Sequence, residues 1–422
     1  FPHHGKIRTG AGICGRNFPH CGKKFSTPWK IVKVPEMEPN APKRIALDAR
    51  WVFRELSGIG RYTLELLRQL GEIGGAFHFL VLVADAERQT FIAREAHLAD
   101  KPNFEFLHLP YKVFCPRGQF AAARLLRRRN IAAYHSPNFM VPLPAFPRRR
   151  PHAIRGICNI HDLIPLAHPE FTPRALKTRL YPLYRALMHE IARRVDSVVT
   201  GSESARRDIM RLLNIPPERI TVVADGVAER FRPAGEKPSA RGGIQTVLYV
   251  GRADPYKNLP GLVTAFARVL QPGNIHARLL IAGPPDERYP EAARRARELG
   301  IADHVTWAGY LRDDDLLRAY QEADVLALLS RYEGFGLPVL EAMACGTPVV
   351  CSNAASLPEV AGNAARIVAP DDLDAAANAL TDILTNPAEA ARLRTAGLAR
   401  ARQFSWRTAA ETMLRLYAEE EP

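Results

Sequence analysis

Glu333 and Glu341 stand eight residues apart in the run EGFGLPVLEAMACGTPVV (333–350), and the residues around them decide what such a pair could do. Gly334, Gly336 and Pro338 interrupt an otherwise apolar stretch, helix formers follow from Glu341, and Gly346 and Pro348 close the unit before Val349–Val350. The pattern predicts loop, helix, loop, strand, with the helix starting near Pro338. Backbone N–H groups at the mouth of that helix would form an anion dock. Glu341 is expected in the first helical turn and Glu333 in the loop just before it. Two carboxylates around such a dock suit a ligand with phosphate at one end and hydroxyls on both sides, as in a nucleotide sugar. The helix dipole alone also favours a glutamate near a helix start, so the rest of the chain must decide.

Three other groups could carry chemistry. Arg252 and Lys257, in GRADPYKN (251–258), fall between a predicted strand ending at Gly251 and a predicted helix. There an arginine fork and a lysine point charge can clamp a diphosphate, although two basic residues can equally well solvate a loop. His161–Asp162 closes the run ICNI, where an imidazole can bond a sugar hydroxyl or polarise a leaving group, or simply cap the strand. Gly58 and Gly60 in SGIGR let backbone approach a ligand closely, but the third glycine and the acidic partner of a dinucleotide fingerprint are missing. No Ser-His-Asp set is evident, and Asp313–Asp315 reads as a loop or helix start rather than a metal site. His3, His4, Cys14, His20 and Cys21 match no standard zinc spacing, so no metal is expected.

The elements that must position these residues alternate strand and helix twice over. RIALDAR (44–50) reads as a strand, LSGIGRY (56–62) as a Gly loop, and TLELLRQLGEI as a helix, the opening of a doubly wound α/β domain. HFLVLVAD (78–85) is apolar on both faces, as buried parallel strands are. Strand ends follow at 132–138, 155–166, 196–204 and 221–227, with Ser202 and Ser204 as helix-cap candidates. FRPAGEKPSARGG (231–243) reads as a linker. A second series of strands begins at TVLYVGR (246–252) and continues at 278–285, 304–310, 324–330, 347–352 and 365–370. The expected organisation is a basic leader (1–43, disordered), an α/β domain (44–230), a linker (231–243), a second α/β domain (244–405) and an amphipathic C-terminal helix (406–422). A ligand belongs in the cleft between the domains, at the C-terminal strand ends.

Charge is unevenly spread. The net +14 is held as eight basic against two acidic side chains in 1–43, 29 against 18 in 44–230, and 21 against 24 in 231–422. The basic character therefore belongs to the leader and the first domain, centred on Arg124, Arg127–Arg129, Arg148–Arg150 and the 174–194 stretch. This suits an anionic membrane surface or a phosphorylated acceptor, or else a solvated Arg-rich face. No nucleic-acid-binding signature is present, so no nucleic acid is expected. No apolar run reaches about 18 residues, so no transmembrane helix is expected. The six cysteines do not form a disulfide framework and suit a reducing compartment. A cytoplasmic protein docked peripherally at the inner membrane is the expectation.

Together these pieces resemble one family. SGIGRY (57–62), IHDLIPLAHPEF (160–171), VTGSESARRDI (199–209), ITVVADGV (220–227), YVGRADPYKNLPGL (249–262), LIAGPP (280–285) and SRYEGFGLPVLEAMACGTPVVCSNAASLPEV (330–360) are similar, in order, to the retaining family 4 glycosyltransferases of the GT-B fold. The resemblance spans about 44–420. Ala224-Asp225 departs from it, standing where many relatives have Tyr-Asn or Pro-Asn. It implies two Rossmann-like domains with a cleft between them and a C-terminal helix that crosses back to the first. It implies a donor site in which Arg252 and Lys257 hold the diphosphate beside Gly251. Glu341 would bond the ribose and Glu333 the donor sugar. Gly334, Phe335, Gly336 and Leu337 would offer backbone N–H groups, and His161 would contact the sugar near the anomeric centre. Gly58 and Gly60 would make room for the phosphate, with Arg61 nearby. It implies no cofactor and no metal. The opening LDAR…SGIGRY resembles bacterial mannosyltransferases of surface polysaccharides, which points to GDP-mannose as donor and to a glycan or lipid-linked acceptor. The competing readings are a nucleotide-sugar epimerase or sugar phosphorylase on the same architecture, and a non-catalytic basic module for membrane or nucleic acid.

Overall fold

A computed structural model of the chain describes residues 42–53, 56–149, 152–174, 176–235, 243–271, 273, 275–284 and 286–419. Nearly all of the expected leader, the histidine and cysteine cluster within it, and residues 236–242 of the expected linker lie outside these. The described residues form two sheets, both wholly parallel. The first has seven strands: β1 (Lys43–Asp48), β2 (Phe77–Val83), β3 (Phe104–His108), β4 (Ala133–Ser136), β5 (Arg155–Asn159), β6 (Ser197–Thr200) and β7 (Ile220–Val222). The second has six: β8 (Gln245–Val250), β9 (Ala277–Ala282), β10 (Val305–Gly309), β11 (Val325–Leu328), β12 (Val349–Ser352) and β13 (Arg366–Val368). Their spatial orders are β3-β2-β1-β4-β5-β6-β7 and β10-β9-β8-β11-β12-β13. Each is the doubly wound Rossmann order, in which direction reverses beside the first strand and opens a crevice at the carboxyl ends. The α/β fold of two Rossmann-like domains expected from the sequence is the one found.

Apolar character on both strand faces produces this layering. In β1, Ile45 and Leu47 enter one core while Ala46 enters another, because successive side chains point to opposite faces. In β2, Phe79, Val81 and Val83 take the first side and Leu80 and Leu82 the second. The helix Trp406–Ala418 is spaced to bury Trp406, Ala409, Ala410, Met413, Leu416 and Tyr417 along one stripe. That stripe packs in the Ile45/Leu47 core of the first sheet, beside the helix Gly58–Ile73. Lys43 Nζ donates to the Ala418 carbonyl at 2.9 Å, and Arg155 donates to the Leu416 carbonyl at 2.7 Å, pinning the end of that helix to the first sheet.

Three local expectations need correction. LSGIGRY is not a loop: Ser57 caps a helix that begins at Gly58, its Oγ accepting from Gly60 N at 3.2 Å. A serine before the glycines supplied the cap that outweighed their helix-breaking cost. The run TVVADGV forms a strand only as far as Val222. Edge strand β3 was not anticipated, because its half-exposed residues FEFLH lack the buried apolar pattern of the others.

Candidate functional site

Each segment lining the main cleft follows the C-terminal end of a strand. Leu56–Ile59 and Arg61 follow β1; His161 and Asp162 follow β5; Gly201 follows β6 and Asp225 follows β7. From the second sheet come Gly251, Arg252, Tyr256 and Lys257 after β8, Gly283 after β9, Tyr310 after β10, and Glu333–Pro338 with Glu341 after β11. The cleft between the sheets encloses about 600 Å³, enough for a ligand of several hundred daltons.

Glu333 and Lys257 form the centre of its second-domain wall. Lys257 Nζ donates to both Glu333 oxygens at 2.7 and 2.8 Å, and Ser330 Oγ donates to Oε1 at 2.6 Å. Both partners are largely buried. Ser356 Oγ lies 2.9 and 2.7 Å from the main-chain carbonyls of Glu333 and Phe335, which fixes the loop between them. Gly336, at φ +110°, then turns the chain into the helix Leu337–Cys345. A left-handed residue there favours glycine, and a Cβ would in addition meet Leu357 Cδ2 at 2.7 Å. Gly336, Leu337 and Pro338 place the N-terminal end of this helix on the cleft.

Glu341 is the fifth residue of that helix, in its second turn rather than its first. Its carboxylate still lines the cleft, because helical side chains tilt back toward the N-terminus. Tyr320 OH donates to Oε2 at 2.7 Å, and Arg61 Nη1 stands 4.0 Å from Oε1. Burial pushes the Glu341 carboxyl up, and Arg61 and Tyr320 pull it only partly back. Arg61 in turn donates through Nη2 to Asp313 Oδ1 at 3.1 Å, while Arg230 Nη1 reaches Asp313 Oδ2 at 3.1 Å. Burial opposes the Arg61 charge, but Glu341 and Asp313 outweigh it, and its pKa stands above the usual value. Asp313, which opens a helix as the sequence suggested, thus also ties the two domains together.

Arg252 points more openly: its side chain is 57% exposed and its Nε lies 3.0 Å from Asp254 Oδ2. Its backbone is held by Tyr249 OH, which donates to the Arg252 carbonyl at 2.6 Å. Gly251 is packed against Gly283, where a Cβ would fall 1.8 Å from the Gly251 carbonyl oxygen. On the opposite wall, His161 Nε2 faces the Pro137 carbonyl at 3.0 Å. A carbonyl only accepts, so Nε2 carries the proton and Nδ1 is the acceptor. Burial lowers the imidazole pKa, so the ring is neutral at neutral pH. Gly334 brings the domains together: its Cβ would meet the His161 carbonyl oxygen at 2.5 Å, and Ser202 Oγ donates to the Gly334 carbonyl at 2.8 Å. Phe335 buries its ring against Gly201 and Phe404.

The structure brings Glu333, Glu341, Lys257, Arg252, Gly251, His161, Gly58 and 334–337 to one cleft. Gly60 is not among the lining residues; it is buried under Leu56, whose Cδ2 would stand 3.2 Å from a Cβ there. Gly58 does line the cleft, with nothing within 4 Å of an added Cβ. Sequence reading missed Tyr320, Ser330, Gly283 and Asp225. Tyr320 lies in an ordinary helical stretch and carried no local signal. Asp225 did carry one, as the residue where the chain departs from its resemblance. Among the described residues no group of three or more His, Cys, Asp or Glu is placed to hold a metal ion, and no helix is long and apolar enough to cross a membrane.

Two Rossmann-like domains around a cleft with cations, a helix N-terminus and paired carboxylates define a GT-B glycosyltransferase. Residues 56–230 match the family model described as Glycosyltransferase Family 4, and 234–400 match that described as Glycosyl transferases group 1. The chain is 31% identical over 387 residues to the O-antigen chain mannosyltransferase B of Escherichia coli, covering 86% of this chain and 96% of that one. Its fold is similar to that of sucrose-phosphate synthase from Thermosynechococcus elongatus (TM-score 0.71, 23% identity, 89% and 98% of the chains). It is also similar to Anabaena Alr3699/HepE in complex with UDP-glucose (TM-score 0.68, 17% identity, 88% and 98%). The chain belongs to the family 4 glycosyltransferases of the GT-B fold.

Proposed function

We propose that this glycosyltransferase moves a hexose, specifically mannose, from GDP-mannose to a growing polysaccharide or lipid-linked acceptor, with retention and without a bound metal. The observation that carries the reading is the Lys257–Glu333 pair beside Arg252 at the mouth of the helix Leu337–Cys345. It joins a phosphate-binding half and a hydroxyl-binding half within one wall. The donor diphosphate lies against Arg252, Lys257 and the helix N-terminus, whose preorganised positive charge stabilises the departing nucleoside diphosphate. Glu333 accepts from sugar hydroxyls and Glu341 from the ribose. His161, neutral and with Nδ1 as acceptor, bonds a hydroxyl near the anomeric carbon. The acceptor hydroxyl attacks from the face on which the diphosphate leaves. The Escherichia coli relative, an O-antigen chain mannosyltransferase, supports mannose as the sugar. A thermal-shift panel of nucleotide sugars tests the donor, with the largest stabilisation expected from GDP-mannose. Release of nucleoside diphosphate should fall in both Glu333→Ala and Arg252→Ala; wild-type release in both would sink the site assignment.

The acceptor side suits a membrane. The helix Pro116–Arg128 exposes Arg117, Phe120, Arg124, Arg127 and Arg128 at helical spacing, with Phe120 67% exposed and nearby Phe114 53% exposed. Basic residues around an apolar anchor favour anionic headgroups. Peripheral docking at the inner membrane predicts vesicle binding that needs anionic lipid and weakens in Phe120→Ala/Arg124→Glu. Equal binding to neutral vesicles would refute it.

A further inference from the structure

Asp225 lies three residues beyond β7 and lines the cleft with His161 and Gly201. It is 5% exposed, and its Oδ1 is sealed from solvent with no hydrogen-bond partner among the described residues. Buried carboxylates are ordinarily paired, because losing hydration without a partner is costly. Thr200 Oγ1, on the adjacent strand β6, is also buried without a hydrogen-bond partner among the described residues. Val223 N donates to the Thr200 carbonyl at 2.8 Å, which sets these two strand ends side by side. The next residues along β6 meet the donor loop: Gly201 abuts Phe335, and Ser202 bonds Gly334. Asp225 therefore sits on the first-domain wall that meets the 333–337 loop.

Among the described residues no cation answers the Asp225 charge. Desolvation alone acts on the carboxyl and pushes it up to about 7. Tyr62, whose phenol burial holds protonated, is the titratable group coupled to it. Neutral His161, Asp162 and the Lys257–Glu333 pair share the cleft. A negative group here repels a diphosphate, whose cationic seat is on the opposite domain. It accepts a hydroxyl proton well, and a hydrogen bond to a carboxylate is roughly twice as strong as a neutral one.

We propose that Asp225 is the acceptor-side hydroxyl site: its carboxylate, on the cleft wall, receives the hydrogen bond of the acceptor's attacking hydroxyl. The assignment rests on the glycosyltransferase reading above. It adds a residue on the first-domain wall that binds the acceptor and leaves the donor untouched.

The test compares wild type with Asp225→Asn, using GDP-mannose as donor and octyl α-mannoside as acceptor. In Asp225→Asn, kcat/KM for the mannoside should fall on the order of 10- to 100-fold, while GDP-mannose affinity by calorimetry stays within about twofold, the spread of a site not touched. Wild-type transfer should lose rate as pH drops through about 7, a limb absent from Asp225→Asn. Transfer by Asp225→Asn at the wild-type rate and with the wild-type pH profile would overturn the proposal, as would a parallel loss of GDP-mannose affinity. Wild type that neither binds nor transfers would instead refute the donor and acceptor reading beneath it, a separate result.

Discussion

Replacing Asp225 by asparagine removes a charge that folding carries out of water without a partner, so the stability of the variant should depend on pH in a calculable way. The carboxyl titrates at 3.8 in the unfolded reference and at about 7 in the fold. A folded pKa raised above the unfolded one means the favourable contribution is complete below about 4 and is lost as pH rises through about 7. The whole shift, about three pKa units at 1.36 kcal/mol each, amounts to about 4 kcal/mol. With the side chain 5% exposed, solvent screening discounts this little. Between pH 5 and pH 8 the stability of Asp225→Asn relative to wild type should rise by roughly 2–3 kcal/mol. The unpaired amide carries its own burial cost of about 1–3 kcal/mol, but that cost does not change with pH and moves only the offset. Glu341, also pushed up by burial, is common to both proteins and cancels. Equilibrium urea unfolding of the two proteins at pH 5, 6, 7 and 8 reads the difference directly. A difference that stays constant to within about 0.5 kcal/mol over that range would show that Asp225 is paired or hydrated in solution. A variant that is more stable at pH 8 yet defective in transfer would separate its functional role from a structural one.

Two further outcomes follow from contacts in the cleft. Gly334→Ala places a Cβ 2.5 Å from the His161 carbonyl oxygen, a backbone clash that must push the domains or the loop apart. Activity should drop about 100-fold while circular dichroism stays native; wild-type activity would mean the two walls are not held in this contact. Tyr320→Phe removes the phenol that donates to buried Glu341 at 2.7 Å. It should cost about 1.5–3 kcal/mol of stability and weaken nucleotide binding measured by calorimetry, and unchanged values for both would detach Tyr320 from the site.

Residues that act within their own segment were legible in the sequence. The strand at 246–252 and the helical run TLELLRQLGEI could be read from apolar runs and periodicity, since strand and helix place side chains at fixed local intervals. The glycine-proline turn before Leu337 located the helix end that lines the cleft, and Glu333, Arg252 and Lys257 stood beside recognisable strand ends. Position within an element was less secure. Glu341 was expected one turn early, and Gly60 was assigned to the ligand although it packs beneath Leu56, because no local pattern distinguishes a glycine that admits a ligand from one that admits a neighbouring side chain.

By itself, then, the sequence determined two doubly wound domains and which residues stand next to the strand ends that line the cleft, because local patterning and backbone chemistry act over a few residues. Only the tertiary structure decided which charges answer one another. Lys257 meets Glu333 across 76 positions of sequence, and Arg61 meets Asp313 across 252. Asp225 Oδ1 meets no hydrogen-bond partner among the described residues. Pairing and desolvation depend on what distant segments bring to the same few ångströms, and the order of residues along a strand does not carry that information.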